Sequence, residues 1–179
     1  MRRLIPVVAG LCLMPLPAFA VLDEEEAPPP PTPTSTECPD GQVWDADKAT
    51  CVEAERSGMS DDALYRAARE LAHAGRYEAA ILVASAMAEP EGDRALTVLG
   101  FAHRKAGRIE LGMAFYDRAI ARNPDNLLAR SYKGMAHVEA GEIALARAEL
   151  AEIEARGGAG RWPAEALSAA LLKRSGFAY

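Results

Sequence analysis

The residues of this 179-residue chain whose types could do chemistry are three histidines, three cysteines and an Asp-Ala-Asp step. His73, His103 and His137 have no paired-ligand spacing, and no cysteine or carboxylate joins them as a metal set would require. His103 and His137 stand 34 residues apart, which places them at one position of a repeating unit. Packing or hydrogen bonding inside that unit explains them better than a metal. Asp45-Ala46-Asp47 opens like a calcium loop, but Ala49 and Arg56 occupy the next and the closing ligand positions. No Gly-x-Ser-x-Gly nucleophile turn is present. Gly157-Gly158-Ala159-Gly160 lacks the Lys-Ser/Thr ending of a phosphate loop and reads as a helix stop and linker. The expectation is a non-catalytic protein without metal or cofactor.

The cysteines sort by their surroundings. Cys12 lies in an apolar run from Leu4 to Leu16, behind the basic pair Arg2-Arg3 and ahead of Ala18-Phe19-Ala20. That order is a secretory signal, too short and too proline-broken to span a bilayer, with cleavage expected after Ala20. Leu11 before Cys12 argues against a lipid anchor. Removal of residues 1–20 leaves Cys38 and Cys51, an even pair that reads as a disulfide in an exported, periplasmic or secreted chain. No integral membrane span is expected after signal removal.

Charge is unevenly placed. Residues 21–59 hold ten acidic residues against Lys48 and Arg56, whereas residues 60–179 balance 16 Lys+Arg with 16 Asp+Glu. No basic face for nucleic acid follows from that balance. Residues 21–37 are acidic and then proline-rich, and read as an extended polyproline II spacer. Residues 38–52 read as a disulfide hairpin, with a turn at Asp40-Gly41 and with Val43-Trp44 facing Thr50 to Val52. So small a unit has almost no core, and a cross-link contributing roughly 3 kcal/mol decides its order. Its pattern, Cys-Pro-x-Gly-x-x-aromatic-Asp and then Cys, resembles the last hairpin of peritrophin-type chitin-binding domains. That resemblance implies a glycan contact through Trp44, and with it a cell-wall or carbohydrate association as the alternative function. The other cysteines of those domains are missing here.

These candidates must be positioned by an all-α region. After a short linker over 53–59, residues 60–179 show helical spacing broken by glycines at 75, 107 and 141, with steps of 32 and 34 residues. Ser60-Asp61-Asp62 starts the first helix with a cap and an acidic turn. Pro90, Asn123-Pro124-Asp125 and Gly157-Gly158 mark the ends of successive pairs. The units run about 61–92, 93–126 and 127–158, and Pro163 opens a last helix over about 163–175. Leu167, Leu171 and Leu172 are expected to cover the open edge of the third pair. Small residues at Ala68, Gly100 and Gly134, with Ala80, Gly112 and Ala146, are expected to let the two helices of each pair approach closely.

Leu96, Leu99-Gly100, His103, Gly112, Tyr116, Ala119 and Pro124 fall at the spacings of the tetratricopeptide repeat, and this unit resembles that family. The flanking units match through fewer positions, as end repeats do. The resemblance implies a helical solenoid of three hairpins and a capping helix, and a scaffold that binds proteins. It also implies a concave groove lined by the first helix of each pair. By spacing the groove residues are Tyr65, Arg69, His73, Arg94, Thr97, Phe101, Arg104 and Lys105, then Leu128, Ser131, Tyr132 and Met135. Cations beside exposed aromatics there suit an extended peptide with acidic groups or a free carboxylate. The acidic segment Asp23 to Glu26 is a conceivable self-ligand.

Overall fold

The structure is a computed structural model and describes residues 26–173. The expected signal segment with Cys12 and Ala20, the acidic residues Asp23 to Glu25, and the end from Arg174 to Tyr179 lie outside the described residues.

The described chain is mostly helical with one small antiparallel hairpin. A short helical turn, α1 (Pro33–Thr36), precedes strands β1 (Gln42–Asp45) and β2 (Thr50–Glu53). The register pairs Val43 with Val52 and Trp44 with Cys51. Gly41 takes φ +83° in the turn closed by Gln42 N–H donating to Pro39 O, so the Asp40-Gly41 turn forms where glycine permits it. Cys38 and Cys51 form the disulfide, with Cα atoms 5.5 Å apart. The hairpin does not stand alone. Val43 is buried in the main core, and the hairpin packs against the second long helix.

Seven longer helices follow: α2 (Asp61–His73), α3 (Tyr77–Ser85), α4 (Asp93–Lys105), α5 (Ile109–Arg122), α6 (Leu127–Glu139), α7 (Ile143–Ile153) and α8 (Trp162–Lys173). Ser60 caps α2, its hydroxyl accepting from Ala63 N–H. The glycines of the period do one job three times. Gly75, Gly107 and Gly141 follow α2, α4 and α6 with φ between +77° and +85°. At each, the N–H of the next residue returns to a carbonyl five positions back: Arg76 to Leu71, Arg108 to His103, Glu142 to His137. This left-handed cap satisfies the last carbonyls and turns the chain into the next helix.

Helices pair as α2–α3, α4–α5 and α6–α7, and α2 meets α4, α4 meets α6, and α6 meets α8. The core is a contiguous set of Leu, Ala, Val, Tyr and Met side chains, with Leu71, Val83, Tyr116, Ile153 and Leu167 fully buried. Each large side chain among them contributes on the order of 2 kcal/mol by leaving water. The α4–α5 crossing is close enough to require glycine on both helices. A Cβ on Gly112 would lie 2.7 Å from Gly100 O, and one on Gly100 would lie 2.6 Å from the Tyr116 ring. Gly134 differs from the expectation: the atoms nearest to its absent side chain belong to Leu167 of α8, not to α7. That contact seats α8 on α6, and Ser131 Oγ donating to Pro163 O (2.7 Å) ties the N-terminal halves of the two helices together. Leu172 does not cover the edge; it is 86% exposed.

Candidate functional site

The N-terminal strap, residues 26–36, is where the structure departs most from the sequence reading. An extended spacer is expected there; instead the strap lies on α2 and ends in the helical turn α1. Thr32 caps that turn and Pro33 holds its first position, a start signal that a proline-rich composition hides. The buried Glu70 carboxylate receives three donors from it: Thr32 N–H (2.6 Å), Thr32 Oγ1 (2.7 Å) and Ser35 N–H (3.1 Å). Arg69 donates to the backbone oxygens of Glu26 (3.0 Å) and Ala27 (2.8 Å). Arg76 donates to those of Thr34 and Ser35 (3.3 and 3.1 Å) and pairs with Asp40. The Glu26 side chain pairs with Arg161, in the turn before α8. Peptide carbonyls facing α2 are therefore met by guanidinium forks, the group with the geometry to bridge two oxygens. Glu26, one residue of the expected self-ligand, is held between α2 and the approach to α8.

The groove residues come together along α2, α4 and α6, but as a packed face. Tyr65, Arg69, Thr97, Phe101, Arg104, Leu128, Ser131, Tyr132 and Met135 are buried, while Arg94 and Lys105 are half-buried. Phe101, expected to be exposed, is 2% exposed: its ring lies 4.9 Å from His73 and 4.8 Å from Tyr132. His73 Nε2 and the Tyr132 hydroxyl share a hydrogen bond (3.1 Å), joining α2 to α6 across α4. The cavity among these side chains measures about 10 Å³, room for about one water.

Charge on this face is organised in pairs. Arg104 is paired with Glu139 of α6 (2.5 Å) and reaches the Tyr116 hydroxyl (3.4 Å); Lys105 shares the same carboxylate (3.3 Å). Burial would raise the Glu139 pKa, but Arg104 and Lys105 outweigh it and hold the carboxyl below its usual range. Burial, and then Arg104, lower Lys105. Tyr65 lies under the guanidinium of Arg94 at 4.0 Å, and Arg94 also pairs with Asp62. Thr97 Oγ1 donates to Asp93 O (2.7 Å) and accepts from Asn126 (3.0 Å), which pins the start of α6 to α4.

The equivalent histidines take hydrogen bonds within their own turns. Arg108 Nε donates to His103 Nδ1 (2.7 Å), and His137 Nδ1 donates to the Glu142 carboxylate (2.6 Å). Each partner is the residue after the capping glycine. Asp45 is likewise committed locally, accepting from Asp47 N–H, Lys48 N–H and Lys48 Nζ. Among the described residues no group of three or more His, Cys, Asp or Glu could hold a metal, and no helix is long and apolar enough to cross a membrane.

A second concavity is much larger. A cleft of about 1070 Å³ lies between the strap, the disulfide hairpin and α2, with Trp44 on its wall. Spacing could not reveal it, because it is built by three segments without a shared period.

Comparison with protein-family models, with curated proteins and with solved structures finds no match to this chain.

Proposed function

We propose that this chain is an exported, non-catalytic interaction scaffold of tetratricopeptide type, which holds a protein or peptide segment on the inner face of its helical hairpins. The observation that carries the reading is the strap. Arg69, Glu70 and Arg76 meet the strap, up to and including its helical turn α1, through carbonyls and N–H groups as well as through side chains, contacts that a peptide of varied sequence can also make. The 32- and 34-residue steps, the repeated glycine caps and the α2–α4–α6 contacts support the repeat-type frame. The disulfide supports export. The Glu26 carboxylate held by Arg161 favours a partner segment that also carries a carboxylate.

Cross-linking capture in the producing cell tests this, comparing wild type with Arg69→Gln and Arg161→Gln variants of unchanged helicity. A partner held by wild type and lost from both variants is the expected result. Equal capture by all three proteins, or by none, would count against the scaffold.

A further inference from the structure

We infer that the cleft between the strap, the disulfide hairpin and α2 binds an amphipathic organic anion: a flat apolar body bearing one carboxylate, sulfonate or phosphate. This ligand is separate from the peptide segment proposed above. A cavity of about 1070 Å³ takes a molecule of many heavy atoms. The apolar part of its lining includes Pro29, Trp44, Met59 and Ala63, all half-buried.

The backbone of Trp44 is held by three restraints. Its cross-strand partner is Cys51, that cysteine is bonded to Cys38, and its backbone N–H donates to Thr34 Oγ1 of the strap (3.0 Å). An indole carried on a backbone so fixed, and half-buried on the cleft wall, offers a stacking face to a flat ligand. The indole N–H makes no hydrogen bond among the described residues, which leaves a donor for the ligand.

Charge fixes the class. Asp45 and Lys48 neutralise one another (2.5 Å), and the Glu70 carboxylate is consumed by Thr32 and Ser35. Arg69 and Arg76, on the turns that follow, are engaged by the strap. Arg66 lines the same cleft, is exposed, and makes no hydrogen bond or ion pair among the described residues. Asp47, at the exposed hairpin tip, is the opposing charge, so the anionic end belongs on the α2 side and the flat body on Trp44. Proline on the strap wall suits this use, since a stiff segment keeps the cleft open.

The probe is 8-anilinonaphthalene-1-sulfonate, titrated into the full chain carrying Trp162→Phe. Trp44 is then the sole tryptophan, because the chain has two. Saturable binding with energy transfer from Trp44 to the probe is expected. Arg66→Glu, a surface change, should weaken it by about tenfold or more, the loss of a charge-assisted contact. The neutral analogue N-phenyl-1-naphthylamine should bind wild type and Arg66→Glu alike. Absence of energy transfer, or sulfonate affinity indifferent to Arg66→Glu, would overturn the site. Arg161→Gln separates the two proposals: peptide capture should fall while probe affinity stays within about twofold.

Discussion

At the residue scale, two kinds of glycine carry different loads. Gly107 supplies a left-handed conformation in open space, whereas Gly100 supplies room against the Tyr116 ring. Gly107→Ala should therefore cost about 1 kcal/mol, the strain of φ +85° on an alanine. Gly100→Ala should cost more, about 1–3 kcal/mol, because the ring must move. Urea unfolding of both variants checks the order; a larger loss at Gly107 would reverse the argument. His73 predicts a pH effect. Burial, then the charges of Arg69 and Lys105, push its imidazole down to about 4, against 6.5 when unfolded. Its neutral form is thus the one that folds, and the contribution is complete above pH 6.5. As pH falls toward 4 the unfolded chain takes up the proton first, and stability drops by on the order of 3 kcal/mol. His73→Phe should flatten that limb of the stability profile. A limb unchanged by the substitution would show that the protons go elsewhere.

At the element scale, the strap and hairpin are held by few groups that can be removed singly. Glu70→Ala leaves Thr32 N–H, Thr32 Oγ1 and Ser35 N–H without their acceptor. Amide exchange at Thr32 and Ser35 should accelerate by about tenfold or more while that of α4 and α6 is unchanged. Exchange as slow as in wild type would mean that the strap is held by something other than Glu70. Removing the disulfide by Cys38→Ala with Cys51→Ala should cost roughly 2–5 kcal/mol and release the hairpin before the helices melt. A single unaltered melting transition would count against that. Much of this level could be read in advance. Glycine caps, Ser60, Asn123-Pro124 and Pro163 are local signals, and the helices begin and end within a few residues of them. The strap was not legible, because Thr32-Pro33 is a helix start embedded in a run whose composition says spacer. Its partner Glu70 looks like any helical glutamate until α1 lies on it. The burial of Phe101 is hidden in the sequence for a related reason: it depends on His73 and Tyr132, which meet each other across α4 only in the tertiary structure.

At the scale of the whole molecule, the chain is a helical frame in which the N-terminal strap lies on α2 and reaches the turn before α8. Glu26 bridges Arg69 of α2 and Arg161 before α8, residues separated by most of the described sequence. Arg69 of α2 meets the strap through peptide carbonyls, and we propose that a partner segment is met in the same way. The direct measurement is fluorescence anisotropy of a labelled peptide of residues 26–36, titrated into a full chain carrying Glu26→Gln and Thr32→Ala. With its own strap weakened, the protein should bind the peptide saturably, and a further Arg69→Gln change should weaken binding by about tenfold or more. No saturable binding, or binding indifferent to Arg69→Gln at unchanged helicity, would contradict the account.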